Sequence, residues 1–286
     1  MWRHYLDDKD PNTHSIVGEV LVTKDVYSPQ LKNRRDVLVY LPPSYAKHSK
    51  RYPVIYMHDG QNLFDRATSF AGEWQVDETM ELLASEGLEA IVVGLPNKDK
   101  ERIHEYGPFN NQRFGEGRGA RYGEFILDTI KPLVDRDFRT LPDGANTGIV
   151  GSSMGGLISL YLYFHFPRAF GFVGAMSPSL WFGGGALVPY IADAPFVPGR
   201  IYLDAGKRER LGWMDRIKQE TTMGIRSASV EAMFDLLQAK GYRMGSSLMY
   251  LEDELGEHNE PSWARRLPDA LRFLLGRALP VDGFRG

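Results

Sequence analysis

The chain has 286 residues, 43% of them hydrophobic and 25% charged, a balance that supports a large folded core and excludes extensive disorder. Its formal net charge of −3 supplies no long-range attraction to phosphate backbones, so nucleic acid is not an expected partner. Cysteine is absent, which removes disulfides, thiolate nucleophiles and zinc–thiolate sites together.

The opening stretch MWRHYLDDKDPNTHS is polar and mixed in charge where a secretory signal needs an apolar run, so a cytoplasmic location is expected. VGEVLVTKDVYS and RRDVLVYLPPSY then alternate or cluster β-branched residues between turn signals, the pattern of an antiparallel pair. PVIYMHDG, EAIVVGLP, TGIVG, FGFVGAMS, RIYLDAG and SSLMYLE are short, largely continuous apolar runs, which suit strands buried on both faces. Between them WQVDETMELLASEG, RYGEFILDTIKPLVDRDF, GGLISLYLYFHF, SVEAMFDLLQAKGY and SWARRLPDALRFLLGRAL carry helical patterns, with stop signals such as Pro167 and Gly241. The most apolar of these ends at Pro167, well short of the roughly 20 residues that span a bilayer, so no membrane helix is expected. No repeat, low-complexity tract or linker divides the chain, which predicts a single domain over residues 1–286. Strands alternating with helices predict an α/β fold: a mostly parallel central sheet, helices on both faces and an antiparallel N-terminal edge. In such a sheet ligands bind where loops leave the C-terminal ends of strands, so chemistry is expected just after strands.

One motif stands in that position. GSSMG follows TGIV and opens the apolar helix, with Gly151 and Gly155 set symmetrically around Ser153. That is the pattern of a strained strand-to-helix corner presenting a nucleophilic serine; the alternative is a plain turn or helix cap. Ser152 lacks symmetric glycines. A serine hydroxyl is a poor nucleophile until a base takes its proton, and histidine suits that task. Among the seven histidines, His258 follows the last strand-like run and precedes the last helix, in the order serine, acid, histidine. His58 ends a strand, His104 falls in a loop, His165 sits inside the apolar helix, and His4, His14 and His48 lie in polar stretches.

The carboxylate that holds the imidazole is expected after a strand between serine and histidine. IYLDAGKRERLGWMD offers Asp204, Glu209 and Asp215. Glu209 is preferred because it lies in the loop with room to reach His258, whereas Asp204 ends the strand and can point into the sheet. An oxyanion needs two preorganised donors. The N–H of Met154, at the start of the helix, is one; in MHDGQNLFD, Gly60 lets the chain turn sharply, which is expected to aim the N–H of Gln61 inwards as the second, the alternative being a plain turn with His58 as a structural residue.

These blocks resemble the putative-esterase family of α/β-hydrolases, which includes enterochelin-type siderophore esterases, esterase D, feruloyl and acetylxylan esterases, and mycolyl transferases of the antigen 85 type. The likeness runs from about Arg34 to Gly276, on LPPSY, YPVIYMHDGQNLFD, VGLPN, EYGPF, GSSMGGLISLY, FPRAFGFVGAMSPSLWF, YLDAGKRE and EHNEPSWARRLPDALRFLL. It implies the α/β-hydrolase fold, Ser153 as nucleophile, His258 as base, and the N–H groups of Met154 and Gln61 as the oxyanion hole. Glu209, a few residues past Gly206, takes the acid's place, where many members carry aspartate. No metal or organic cofactor is implied, and no HExxH or HxH spacing suggests one. The resemblance also sets ERIHEYGPFNNQRFGEG and SPSLWFGGG near the nucleophile, so that Arg102, Tyr106, Phe109 and Trp181 line the acyl or alcohol pocket. The glycines of GEGRGARYG and FGGGA are expected to mark mobile covers. The expected activity is a serine carboxylesterase acting on a small-molecule ester. An acyltransferase using the same triad and a catalytically lapsed ligand-binding module are the alternatives.

Overall fold

Continuous apolar strands need cover on both faces, and here helices supply it. The computed structural model describes residues 1–7, 9–211 and 229–276. Among these residues nine strands form one sheet: β1 (Arg3–His4), β2 (Glu19–Ser28), β3 (Asn33–Leu41), β4 (Val54–His58), β5 (Ile91–Leu95), β6 (Thr147–Ser152), β7 (Phe172–Met176), β8 (Arg200–Gly206) and β9 (Leu248–Asp253). Their spatial order is β1-β2-β3-β5-β4-β6-β7-β8-β9. The pairs β1–β2, β2–β3 and β3–β5 are antiparallel, and every pair from β5 to β9 is parallel. This is the expected mostly parallel sheet with an antiparallel N-terminal edge.

Alternation along the strands divides the core between the two faces. Val54 and Tyr56 of β4, Ile149 of β6 and Leu203 of β8 share one cluster; Ile55, Met57, Val150 and Tyr202 share the other. The helices are α1 (Val76–Ser85), α2 (Arg102–Glu105), α3 (Gly119–Glu124), α4 (Lys131–Asp137), α5 (Met154–His165), α6 (Leu187–Asp193), α7 (Val230–Ala239) and α8 (Glu260–Leu274). Tyr122, Val134, Leu157, Leu187 and Met233, from α3 to α7, cover the first face. Met80 and Leu83 of α1 and Leu267 and Leu271 of α8 cover the second. No helix among the described residues is long and apolar enough to cross a membrane.

The expected long helix in RYGEFILDTIKPLVDRDF is not uniform: a π-helical turn, Phe125–Ile130, joins α3 to α4. It ends two residues before Pro132, whose missing N–H and ring interrupt regular bonding to the preceding turn. The two-residue β1 and the short α2 and α6 carry too few periodic positions to be read from sequence.

One buried contact fastens the antiparallel edge to the loops that serve the sheet's C-terminal end. Arg35 of β3 and Glu105 of α2 each have side chains only 1% exposed, and one Nη of the arginine meets both carboxylate oxygens at 2.7 and 2.8 Å. Removing one member leaves an uncompensated charge in a dry place. Glu105→Ala is therefore expected to lower unfolding free energy in urea by about 3–5 kcal/mol. A loss under about 1 kcal/mol would mean that Arg35 finds other solvation.

Candidate active site

The chain passes from β6 into α5 through Ser153, whose backbone stands at φ 55° and ψ −121°. L-residues avoid this region, and one holds it only where its surroundings over-determine it. The Ser153 N–H donates to the Met176 carbonyl at 2.9 Å, and its own carbonyl accepts from Ser179 and Leu157, both at 3.0 Å. A methyl group on Gly151 would come within 2.6 Å of the Gly155 backbone and 2.7 Å of the His58 ring. Only glycine fits that crossing. His58 itself is buried, with Nδ1 2.9 Å from the Tyr122 hydroxyl. Burial pushes its imidazole down to about 3, so it packs here as a neutral ring.

The Ser153 hydroxyl lies 2.8 Å from Nε2 of His258, which stands in the loop between β9 and α8. Asn259 caps α8, its side chain accepting from the Ser262 N–H at 3.1 Å, while the Ser262 hydroxyl accepts from the Glu257 N–H at 3.0 Å. These bonds fix the backbone on either side of His258. Its ring stands edge-on to Trp263, with centroids 5.1 Å apart and planes at 83°. The other imidazole nitrogen, Nδ1, is 3.2 Å from Oε2 of Glu209.

Glu209 lies in the 3₁₀ turn Lys207–Leu211 that follows β8. Its Oε1 accepts from the Gly206 N–H at 2.8 Å and the Ser177 hydroxyl at 2.5 Å. Ser177 in turn accepts from Nε1 of Trp263 at 3.0 Å and Nη2 of Arg266 at 2.9 Å. Burial pushes the Glu209 carboxyl up, but its bonds from His258, Ser177 and Gly206 outweigh this and hold it below the usual range. A hydroxyl touching an imidazole whose far nitrogen faces a carboxylate can shed its proton as the oxygen attacks a carbonyl.

Asp204 is committed elsewhere. Fully buried, it accepts from Nε of Arg266 at 3.0 Å, the Ser177 N–H at 2.8 Å and the Tyr202 hydroxyl at 3.2 Å. Burial pushes its carboxyl up to about 6 against the pull of Arg266. Asp215 lies outside the described residues.

The turn after β4 is pressed onto the end of β5. A methyl group on Gly60 would meet the backbone of Gly94, Leu95 and Pro96 at 2.6–2.7 Å. Asp59, at φ 54°, binds Arg102 through Nε at 2.7 Å and Nη2 at 2.8 Å, and Nδ2 of Asn97 at 2.6 Å. Burial alone would raise its carboxyl, yet the arginine charge and these bonds hold it low. Among the described residues the N–H of Gln61, second in the 3₁₀ turn Gly60–Asn62, has no backbone acceptor. Met154 opens α5, where the first N–H groups lack intrahelical acceptors.

The expected pocket wall needs correcting. Tyr106 has no exposed surface: its hydroxyl accepts from the Asp59 N–H at 3.1 Å and its ring packs on His58 and Tyr122. A buried N–H needs an acceptor, and this one fixes Tyr106 beneath the site rather than in its lining. Phe109 packs against Tyr161 and Tyr190, and Tyr161 lies about 12 Å along the α5 axis from Ser153. Arg102 stays near the corner, but its guanidinium is clamped by Asp59. Trp181 is half-buried beside Phe182 and follows Ser179, whose hydroxyl is 3.1 Å from that of Ser153. The first expected cover is packed instead: methyl groups on Gly117 and Gly119 would meet their surroundings at 2.5 and 2.8 Å, and Phe114 stacks on Phe182 of the second.

Sequence reading missed Asp59, Asn97, Ser177, Ser179, Trp263 and Arg266. The serines follow a strand end in SPS, a usable signal; Arg266 sits in an ordinary charged helix and offered none. Among the described residues Glu73, Asp77 and Glu78 bring carboxylate oxygens within 4.8 Å of one another at the start of α1. Burial, then the neighbouring Glu78, push the Asp77 carboxyl above the usual carboxylate range.

An uncharacterized protein of Bacillus subtilis, YbbA, is 26% identical over 252 residues, spanning 86% of this chain and 94% of that protein. An IroE-like serine hydrolase of Shewanella oneidensis shares the fold with a TM-score of 0.68 at 20% identity, over 89% of this chain and 79% of the other. The enterobactin esterase of Shigella flexneri does so at 0.64 and 22% identity, over 91% of this chain and 60% of that longer one. The family model described as "Putative esterase" matches residues 28–274, from the end of β2 to the end of α8, and the chain is thus a hydrolase belonging to the putative esterase family.

Proposed function

We propose that the protein is a single-domain serine carboxylesterase that cleaves a small-molecule ester through an acyl-enzyme on Ser153. The observation that carries this reading is the 2.8 Å contact between the Ser153 hydroxyl and Nε2 of His258, groups 105 residues apart in sequence. In the first step the Ser153 oxygen attacks the ester carbonyl carbon while His258 takes the hydroxyl proton. Glu209 holds Nδ1–H and stabilises the imidazolium. The negative charge on the former carbonyl oxygen falls to the N–H groups of Met154 and Gln61. Collapse breaks the bond to the alkoxy group, His258 returns its proton to that oxygen, and the alcohol leaves. Water then enters, gives its proton to His258 and attacks the acyl carbon; the acid departs and Ser153 recovers its hydrogen.

The surroundings support this division of labour. Glu209 is ionised and partly reachable, whereas Asp204 is enclosed with Arg266. The Ser179 hydroxyl, 3.1 Å from that of Ser153, adds a neighbouring donor or acceptor.

Labelling with a fluorophosphonate probe and turnover of a short-chain aryl ester test the reading directly. Ser153→Ala is expected to lose labelling and at least about 10⁴-fold in kcat, and His258→Ala to lose as much turnover. A folded Ser153→Ala protein with full hydrolysis would remove the mechanism. A parent that neither labels nor turns over would favour a lapsed binding module. Glu209→Gln is expected to lower kcat by about 10²–10⁴-fold with little change in unfolding free energy. Asp204→Asn should do the opposite, losing about 1–3 kcal/mol of stability with a smaller kinetic effect. The reverse ranking would reassign the acid to Asp204.

A further inference from the structure

Beside the candidate active site, between the antiparallel edge and the loops after β4 and β5, runs a groove of about 510 Å³. Six of its lining residues are basic, namely Arg3, Lys9, Lys24, Arg34, Arg35 and Lys98, against two acidic ones, Asp25 and Asp36. This excess runs counter to the chain's net charge of −3. Arg34 is paired with Asp25 and Arg35 with Glu105, and Asp36 is engaged by the Asp25 N–H. Among the described residues Lys9, Lys24 and Lys98 stand within ion-pair distance of no carboxylate. The Lys9 ammonium rests over the Tyr5 ring, 3.2 Å from its centroid, and so is held at the wall. Burial lowers the Lys9 amine; Asp65 opposes this, and the positive charges of Lys24 and Arg3 lower it further. By the count of its lining side chains, the groove's wall is predominantly cationic.

The groove reaches the candidate site through Gln61. Ser153 is not in its wall, but Gln61 is, together with Asn97 and Thr68. The Gln61 side-chain carbonyl accepts from the Asn97 N–H at 3.1 Å, and its backbone carbonyl accepts from the Thr68 hydroxyl at 2.8 Å. Asn97 in turn binds Asp59, which adjoins Gly155 of the serine corner. Gln61 is thus common to the groove wall and to the candidate oxyanion site, and a substrate with its carbonyl at Ser153 would meet the groove where it extended past Gln61. Cationic walls lining such a path concentrate anionic substrates and hold them once bound.

We propose that this groove receives an anionic group of the substrate, so that the protein's esters belong to molecules carrying a carboxylate, phosphate or similar acid near the cleaved bond; this rests on the esterase reading above. The charge can reside in the acyl part or in the alcohol part, and matched pairs distinguish them. One pair is para-nitrophenyl hexanoate with the mono-para-nitrophenyl ester of adipic acid. The other is para-tolyl acetate with para-acetoxybenzoate. At low ionic strength one pair is expected to show kcat/KM about ten-fold higher for the anionic member. Raising salt to about 0.5 M should erase most of that advantage in the parent protein. Combined Lys24→Glu and Lys98→Glu substitution should lower the anionic-to-neutral ratio about ten-fold or more. A charge reversal of equal size at exposed Lys47 and Arg168, outside the groove, should leave the ratio unchanged. Ratios near one in both pairs, or ratios indifferent to salt and to the groove lysines while neutral esters are still cleaved, would overturn the proposal alone. A parent that cleaves none of the four would overturn the esterase reading with it.

Discussion

The backbone of Ser153 is the constraint on which the rest of the site depends. At φ 55° and ψ −121° it is a conformation the chain would leave if it could, and it persists because both flanks are locked. The β6–β7 pairing ends in a bond from its N–H, the first turn of α5 closes on its carbonyl, and β4 pushes His58 against Gly151. The same strain lifts the hydroxyl clear of the strand and directs it at His258. A relaxed serine in either the strand or the helix would keep its side chain within that element's own packing.

A second dependence runs through the hydroxyl of Ser177. It accepts from Trp263 and Arg266 and donates to Glu209, so that three elements, β7, α8 and the turn after β8, are fixed about one oxygen. Arg266 is only 4% exposed, and its charge is balanced by Asp204, with Asp253 and Glu209 near. Buried charge of this kind adds little net stability, because desolvation consumes much of the Coulombic gain. Its consequence here is geometric. By occupying Asp204, Arg266 takes that carboxylate out of contention for His258 and leaves Glu209, bound by hydrogen bonds that keep it ionised, facing the imidazole.

The turn that follows β4 links the site to the antiparallel edge. Asp59 gathers Arg102 and Asn97, Arg102 belongs to the helix that ends in Glu105, and Glu105 neutralises Arg35 of β3. Hence the edge strands, which contribute nothing to the Ser153–His258–Glu209 contacts, set the position of the loop that carries Gln61. They also contribute most of the cationic wall beside it.

Much of this architecture was legible in the amino-acid sequence because its signals are local. Continuous apolar runs between Gly and Pro marked the buried strands, and glycines around Ser153 marked the corner, since only a residue without a side chain tolerates such a crossing. The preference for Glu209 over Asp204 rested on its place in the loop after the strand, and its spacing past Gly206 came from the family resemblance. The packing partners of Tyr106, Phe109 and Arg102 were not legible. An aromatic or cationic side chain in a loop has one appearance in sequence whether it faces a ligand or completes a neighbour's hydrogen bonding. Tyr106 was decided by an N–H at Asp59 that needed an acceptor, Phe109 by rings on two helices, and Arg102 by a carboxylate 43 residues earlier. Sequence by itself determined the longer strands and helices and the corner at which the Ser153 hydroxyl is presented. Only the tertiary structure decided which polar groups pair, because pairing in a dry interior depends on which partners folding brings within about 3 Å.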